Sequence, residues 1–71
     1  MTREEHLAFC KERANEYLDR GDIQNGITSM LSDLDKHDET RSAGKSMGMI
    51  GILYAMNHDM EGAKRFVNGF R

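Results

Sequence analysis

At 71 residues and 8.1 kDa, the chain has room for one domain, which we place at residues 1–71, and a domain this small buries only about 60% of its unfolded surface. Its single cysteine excludes an internal disulfide framework, and it lacks an apolar run long enough to cross a membrane, so we expect a soluble cytoplasmic protein. The charge is divided, with five basic and ten acidic residues in 1–40 but five and two in 41–71, which favours pairing with an oppositely charged surface, including a second copy.

The first half of the chain predicts two amphipathic helices joined by a tight turn. Thr2 and Glu5 have the spacing of a capping box that begins the first helix. Apolar residues then recur every three or four positions along 3–20 and again, more regularly, along 22–36. The Gly-Asp pair between them suits a helix end followed by a new N-cap. We expect the two helices to be antiparallel neighbours.

The second half predicts two more helices. Residues 36–46 are polar apart from Ala43, and we predict a loop there, with a new helix start at Thr40 or Ser42 and a third helix at roughly 42–56. From Met47 to Met56 almost every position is apolar, and three short neighbours cannot cover a helix that is apolar all round. Part of its surface is therefore expected to meet a second subunit. A fourth helix is predicted at 59–70. Its inward positions are Met60, Ala63, Val67 and Phe70, with Phe66 beside them.

Two stretches of the chain repeat one pattern, 37 residues apart. YLDRGDIQNG at 17–26 and YAMNHDMEGA at 54–63 each place a Tyr, a turn residue four positions later, an Asp, an aliphatic residue and a small residue. The pattern resembles a degenerate tetratricopeptide hairpin, although the tryptophan and the closing proline of that repeat are missing. The resemblance implies an all-α fold of four helices arranged as two antiparallel hairpins.

Three segments carry a second resemblance. TREEHLAFCKERANEYLDRGD, SMLSDLDKHDETR and RFVNGF are together similar to a family of short proteins encoded by tailed bacteriophages. The resemblance implies a viral protein that acts in the cytoplasm of an infected bacterium. It carries over no catalytic residue, because no activity is assigned to that family.

The short motifs that carry chemistry are incomplete in this chain. AGKS at 43–46 ends like a phosphate-binding loop, but Glu39 stands where that loop needs a glycine. His6 and Cys10 share a helical face, yet a zinc site needs two further ligands. The basic residues of the second half are too few to predict a nucleic-acid site. We therefore expect a non-enzymatic protein with no cofactor and no metal.

The remaining features predict a small helical adaptor that binds protein and self-associates as a homodimer through its third helix. The predicted interface consists of apolar positions that fit a four-helix core least well: Met49, Ile52, Met56 and Phe66. An acidic set is predicted to face a partner: Asp33, Asp35, Asp38 and Glu39. Two alternatives stay open. One is an inhibitor of a host defence or nucleic-acid-handling enzyme that uses this acidic set, and the other is a small-molecule or nucleotide binder.

Overall fold

Four α-helices make up the fold in the computed structural model, which describes residues 2–70 apart from the side chains of Glu39 and Ala43. The helices are α1 (Arg3–Asp19), α2 (Ile23–Asp35), α3 (Asp38–Met56) and α4 (Met60–Asn68). Residues 2–70 contain no β-strand, so the all-α prediction is confirmed. The chain exposes 4627 Å², close to the roughly 4,500 Å² expected of a compact monomer of this mass.

The first helix begins with the predicted capping box. The Thr2 hydroxyl accepts a hydrogen bond from the Glu5 amide at 3.1 Å, and the Glu5 carboxylate accepts one from the Thr2 amide at 3.0 Å. Both amides would otherwise lack a partner at the helix end. The bond from the Thr2 amide, followed by the bond to the Thr2 side chain, lowers the pKa of Glu5 below its usual value.

The repeated sequence pattern corresponds to one turn that is built twice. After α1 the Asp22 amide donates to the Tyr17 carbonyl at 2.9 Å, and after α3 the Asp59 amide donates to the Tyr54 carbonyl at 3.0 Å. In each turn the amide of the residue before the Asp also donates to the carbonyl of the residue after the Tyr, so a shorter hydrogen-bonded ring lies inside the first. Together these bonds form a Schellman motif, which satisfies the last carbonyls of a helix.

The same two turns also start the next helices. The residue before each Asp adopts positive φ, which is 82° at Gly21 and 52° at His58. Each Asp then caps the following helix, accepting from the amide of Asn25 in the first turn and of Gly62 in the second. Because only glycine adopts positive φ without steric cost, His58 is the strained member of the pair.

The hydrophobic core is supplied mainly by α1, α2 and α4. Its buried members are Leu7, Cys10, Ala14, Leu18, Ile23, Ile27, Met30, Leu34, Ala63, Phe66, Val67 and Phe70. Gly26 of α2 lies directly against Leu18 and the Ala14 carbonyl, as its place on the apolar stripe predicted. Close approach of α1 and α2 leaves no room for a side chain at this crossing.

The third helix contributes to the core in a different way, through small residues. Its inward row is Thr40, Gly44, Gly48, Gly51 and Ala55. Along α2 this row lies next to Leu34, Leu31 and Ile27, and a Cβ atom at Gly51 would also lie 2.7 Å from the Phe66 ring. Tyr54 and Ala55 pack on the edge of the core. The backbone of α3 thus approaches its neighbours closely, and its larger side chains point elsewhere.

The predicted loop at 36–46 is wrong, and so is the predicted helix start at Thr40 or Ser42. Only Lys36 and His37 separate α2 from α3, which begins at Asp38. The first turns of α3 look polar in sequence because their inward positions are Thr40 and a glycine, with no large apolar residue. Thr40 is fully buried, and its hydroxyl donates to the Leu34 carbonyl at 2.7 Å, so it completes the end of α2.

The fourth helix is shorter than predicted, and one of its aromatic residues was misplaced. Ala63, Val67 and Phe70 are buried as expected. Phe66, predicted to lie outside the four-helix core, is only 8% exposed, so that expectation is wrong. Its ring meets the Phe70 ring edge-on at 5.0 Å between centroids. Gly51 opens the space on α3 that this ring fills.

Candidate interaction face on the third helix

The outward side of α3 carries a continuous row of bulky apolar side chains. We call Met49, Ile52, Leu53 and Met56 the α3 stripe, because the spacing i, i+3, i+4, i+7 places them on one helical face. All four are exposed, and Met49 and Met56 are 68% and 70% exposed. Met47 and Ile50 are also exposed, on the flank of α3 that faces α4. The expectation that the chain leaves apolar surface of this helix uncovered is confirmed.

The apolar surface of the stripe is large for so small a chain. The exposed fractions of its four residues together correspond to roughly 450 Å², within the about 300–600 Å² of the largest apolar patch on a typical monomer, a patch that is often functional. A usual amphipathic helix turns its large apolar residues toward the core. In α3 the small residues face inward, so the large ones face solvent.

A groove between α2 and α3 adjoins the stripe and encloses about 590 Å³. Its floor is formed by Ile27 and Leu31, and one wall by Ile52, Ala55 and Met56. The opposite wall is a polar row on α2: Gln24, Thr28, Ser32 and Asp35. An apolar floor with one polar wall suits the apolar anchors of a helix laid along it.

Asp33 does not belong to an exposed acidic face, so its predicted place there is wrong. Its side chain is 2% exposed and lies between Arg13 and Lys36. The Arg13 Nε atom is 3.0 Å from Oδ2, and the Lys36 Nζ atom is 3.2 Å from Oδ1. A carboxylate this deeply buried requires such cations, because burial of an unpaired charge is costly. Asp33 therefore joins α1 to α2 and is closed to a partner.

Asp35 and Asp38 are exposed, but they share one arginine. The Arg41 Nε atom is 3.6 Å from Asp35 Oδ1, and its Nη2 atom is 3.2 Å from Asp38 Oδ1. Glu39 lies in α3, and its side chain is outside the described part of the chain. The acidic set is thus divided between a buried ion pair and a surface pair that Arg41 partly neutralises.

His6 and Cys10 meet at the buried end of α1. The Cys10 Sγ atom is 3.6 Å from His6 Nε2, and the His6 ring stacks on His37 at 4.8 Å between centroids. Burial, and then the charge of Asp33, raises the pKa of the Cys10 thiol. Among the described residues, no group of three or more His, Cys, Asp or Glu side chains is placed to hold a metal ion.

The predicted interface residues therefore separate into two groups. Met49, Ile52 and Met56 stand together on the stripe, while Phe66 is buried beneath the other flank of α3. Sequence reasoning missed Leu53, which completes the stripe. The signal was present, since small residues recur at steps of four, four, three and four from Thr40 to Ala55 and mark the inward face.

In the part of the chain that the structure describes, no helix combines the length and the apolarity needed to span a bilayer. Comparison with known proteins adds no relative to this picture: no protein-family model matches the chain, and neither a curated protein nor a solved structure is significantly similar to it.

Proposed function

We propose that this chain is a non-enzymatic interaction protein that forms a homodimer through the α3 stripe. The observation that carries the proposal is the exposure of four large apolar side chains in one row on the outside of the fold. Burial of such a row against a partner removes apolar surface from water, which is the main favourable contribution to association. A second copy presents the same row.

A two-fold axis between Ile52 and Leu53 makes the stripe self-complementary. Antiparallel packing about this axis places Met49 of one copy against Met56 of the other, and Ile52 against Leu53. In this arrangement the protruding residues of each copy lie beside the α2–α3 groove of the other. An interface in which the same patch serves both subunits is the commonest form of protein dimer.

The available area fits a small dimer interface. The roughly 450 Å² of the stripe, together with the walls of the groove, is below the 800 Å² or so that each partner buries in a standard interface, so the dimer should be a weak one. Methionine suits such a contact because its flexible thioether adapts to irregular apolar surfaces.

The proposal includes the predicted arrangement of the helices as two tetratricopeptide-type hairpins, and the predicted origin in a tailed phage. The identical Schellman turns after α1 and α3, and the glycine crossings at Gly26 and Gly51, support the hairpins. Asn15 of α1 also bonds to Asn68 of α4 at 3.0 Å, so the two hairpins close on each other. When the two hairpins pack on each other in this way, the outward face of α3 is the surface to which a further subunit can bind.

Light scattering on a sizing column, across a wide concentration range, tests the dimer. We expect twice the 8.1 kDa chain mass for the wild type and a monomer for Met49→Asp, because a carboxylate in the buried stripe would be desolvated without a partner. Phe9→Asp is the matched control, since Phe9 is exposed on α1, away from the stripe. A wild-type monomer up to millimolar concentration would refute the proposal.

A charge exchange tests the antiparallel geometry. Met49→Lys should break the dimer, because its charge would be buried at the interface without a partner. Adding Met56→Glu to that variant should restore the dimer, since the proposed two-fold axis sets residue 49 of one copy against residue 56 of the other. Failure of the second change to restore it would contradict the antiparallel arrangement while leaving the stripe itself in place.

A further inference from the structure

A second groove lies on the other flank of α3, between α3 and α4, and encloses about 440 Å³. Three aromatic residues line it: Tyr54, Phe66 and Phe70. The Phe66 ring meets Phe70 edge-on and Tyr54 at 6.3 Å between centroids, so the rings form a bent apolar wall. Met47 and Ile50 close the side nearest solvent. We call this the aromatic groove.

Arg65 stands at the edge of the aromatic groove without a charged partner. Three other guanidinium groups are engaged: Arg13 and Arg41 pair with carboxylates, and Arg20 lies over the Tyr17 ring. Among residues 2–70, no ion pair, side-chain hydrogen bond or ring contact is formed by the Arg65 side chain. A guanidinium offers a fork of donors that matches a carboxylate.

We propose that the aromatic groove binds a small amphiphilic carboxylate, with the apolar body of the ligand against Tyr54, Phe66 and Phe70 and its carboxylate on Arg65. The volume lies in the range of about 300–1,000 Å³ found for small-molecule sites, which combine an apolar lining with a few polar groups. The positive charge at the rim selects an anionic head, and Arg65 is the one charged residue among the described residues that line the groove, which suits a head with a single negative charge. This site does not depend on the proposed dimer.

Octanoate and 1-octanol are suitable probes, because they share an apolar chain and differ in the charged head. The labelled protein is titrated with each probe while NMR records chemical shifts. The ring protons of the groove and the methyl groups of the stripe give separate signals. We expect shifts at Phe66 and Phe70 with both probes, and an affinity about 10-fold higher for octanoate, since a charge-assisted hydrogen bond contributes about 1.5 kcal/mol.

Variants of Arg65 and Ile50 separate the contribution of the charge from that of the apolar wall. Arg65→Ala should remove the preference for octanoate and leave octanol binding unchanged. Arg65→Lys, which keeps the positive charge, should retain part of that preference. Ile50→Ser should weaken the binding of both probes, because it removes part of the apolar lining. Met49→Asp, which removes the proposed dimer contact, should bind octanoate like the wild type, so a failed dimer does not by itself remove this site.

The proposal is overturned if octanoate shifts the methionine methyls of the stripe and not the groove rings, or if Arg65→Ala binds octanoate as tightly as the wild type does. Equal affinity of the wild type for octanoate and octanol also overturns it, because the guanidinium then takes no part in recognition.

Discussion

Two alanine substitutions in α3 should have opposite effects on stability. Gly48 and Gly51 lie three residues apart on the inward row, and neither has the positive φ that would exclude a side chain. Both substitutions remove a helix-interior glycine, which should gain about 1 kcal/mol of helix propensity. They differ in what the new methyl group meets.

At Gly48 the new Cβ would lie 3.7 Å from Leu31, an ordinary contact, so the full gain should remain. At Gly51 it would lie 2.7 Å from Phe66 Cε2 and 3.1 Å from Ile27 Cγ2. The Phe66 ring cannot move away freely, because Phe70 and Tyr54 hold it. Overpacking of a filled core costs about 1–3 kcal/mol. The net effect of Gly51→Ala should be a loss of about 1 kcal/mol.

Thermal unfolding by circular dichroism, at one fixed protein concentration, measures both variants. For a domain of this size, 1 kcal/mol corresponds to about 4–8 °C, so Gly48→Ala should melt higher and Gly51→Ala lower by that amount. The fixed concentration matters because dimerisation raises the melting temperature by mass action. Equal stabilisation by both substitutions would mean that α3 is rotated from the described register, and the α3 stripe would then lose its outward position.

Further substitutions and one labelling reaction test local features. His58→Gly should stabilise the protein by up to about 1 kcal/mol, and Gly21→Ala should destabilise it by a similar amount, because both residues adopt positive φ; a melting temperature unchanged in both variants would contradict this reading of the turns. Thr2→Ala should cost about 1 kcal/mol at neutral pH. Since the folded pKa of Glu5 is lowered, the contribution of its capping bond is complete above the ordinary value of 4.5 and is lost as the pH falls through the folded value. The difference between Glu5→Ala and the wild type should therefore shrink in acid, and a constant difference would argue against the capping box. Cys10, buried and with a raised pKa, should react with iodoacetamide only when the protein unfolds, and rapid labelling of the native protein at neutral pH would contradict its burial.

The first two helices could be predicted because large apolar residues mark their inward faces. Along α2, Ile23, Ile27, Met30 and Leu34 recur at helical spacing, and all four are buried. The capping box at Thr2 could also be predicted, since it depends on two neighbouring side chains. In these segments local sequence and tertiary packing favour the same structure.

The start of α3 could not be predicted in the same way. Its inward face consists of Thr40 and glycines, and glycine normally indicates a turn, so the segment resembles a loop. What makes it helical is the fit of those small residues against Leu34 and Leu31, which belong to another element. A tertiary contact of this kind leaves no hydrophobic period in the sequence.

The candidate interaction face likewise has a part that the sequence predicts and a part that depends on tertiary contacts. The excess of apolar residues between Met47 and Met56 predicted an uncovered surface, and the structure places it on the outward face. The burial of Phe66 and Asp33 could not be foreseen, because each depends on a partner from a distant helix: the space at Gly51 for the ring, and Arg13 for the carboxylate. Composition thus located the surface, and packing decided which residues belong to it.

Oxidation of the methionines by dilute hydrogen peroxide, followed by mass spectrometry at several protein concentrations, tests the role of the α3 stripe most directly. Met49 and Met56 are exposed in the single chain, whereas Met30 is fully buried and serves as an internal control. We predict that Met49 and Met56 oxidise quickly in dilute solution and become protected as the concentration rises, while Met30 stays protected throughout. Oxidation of Met49 and Met56 at a rate independent of concentration would contradict a dimer formed through this face.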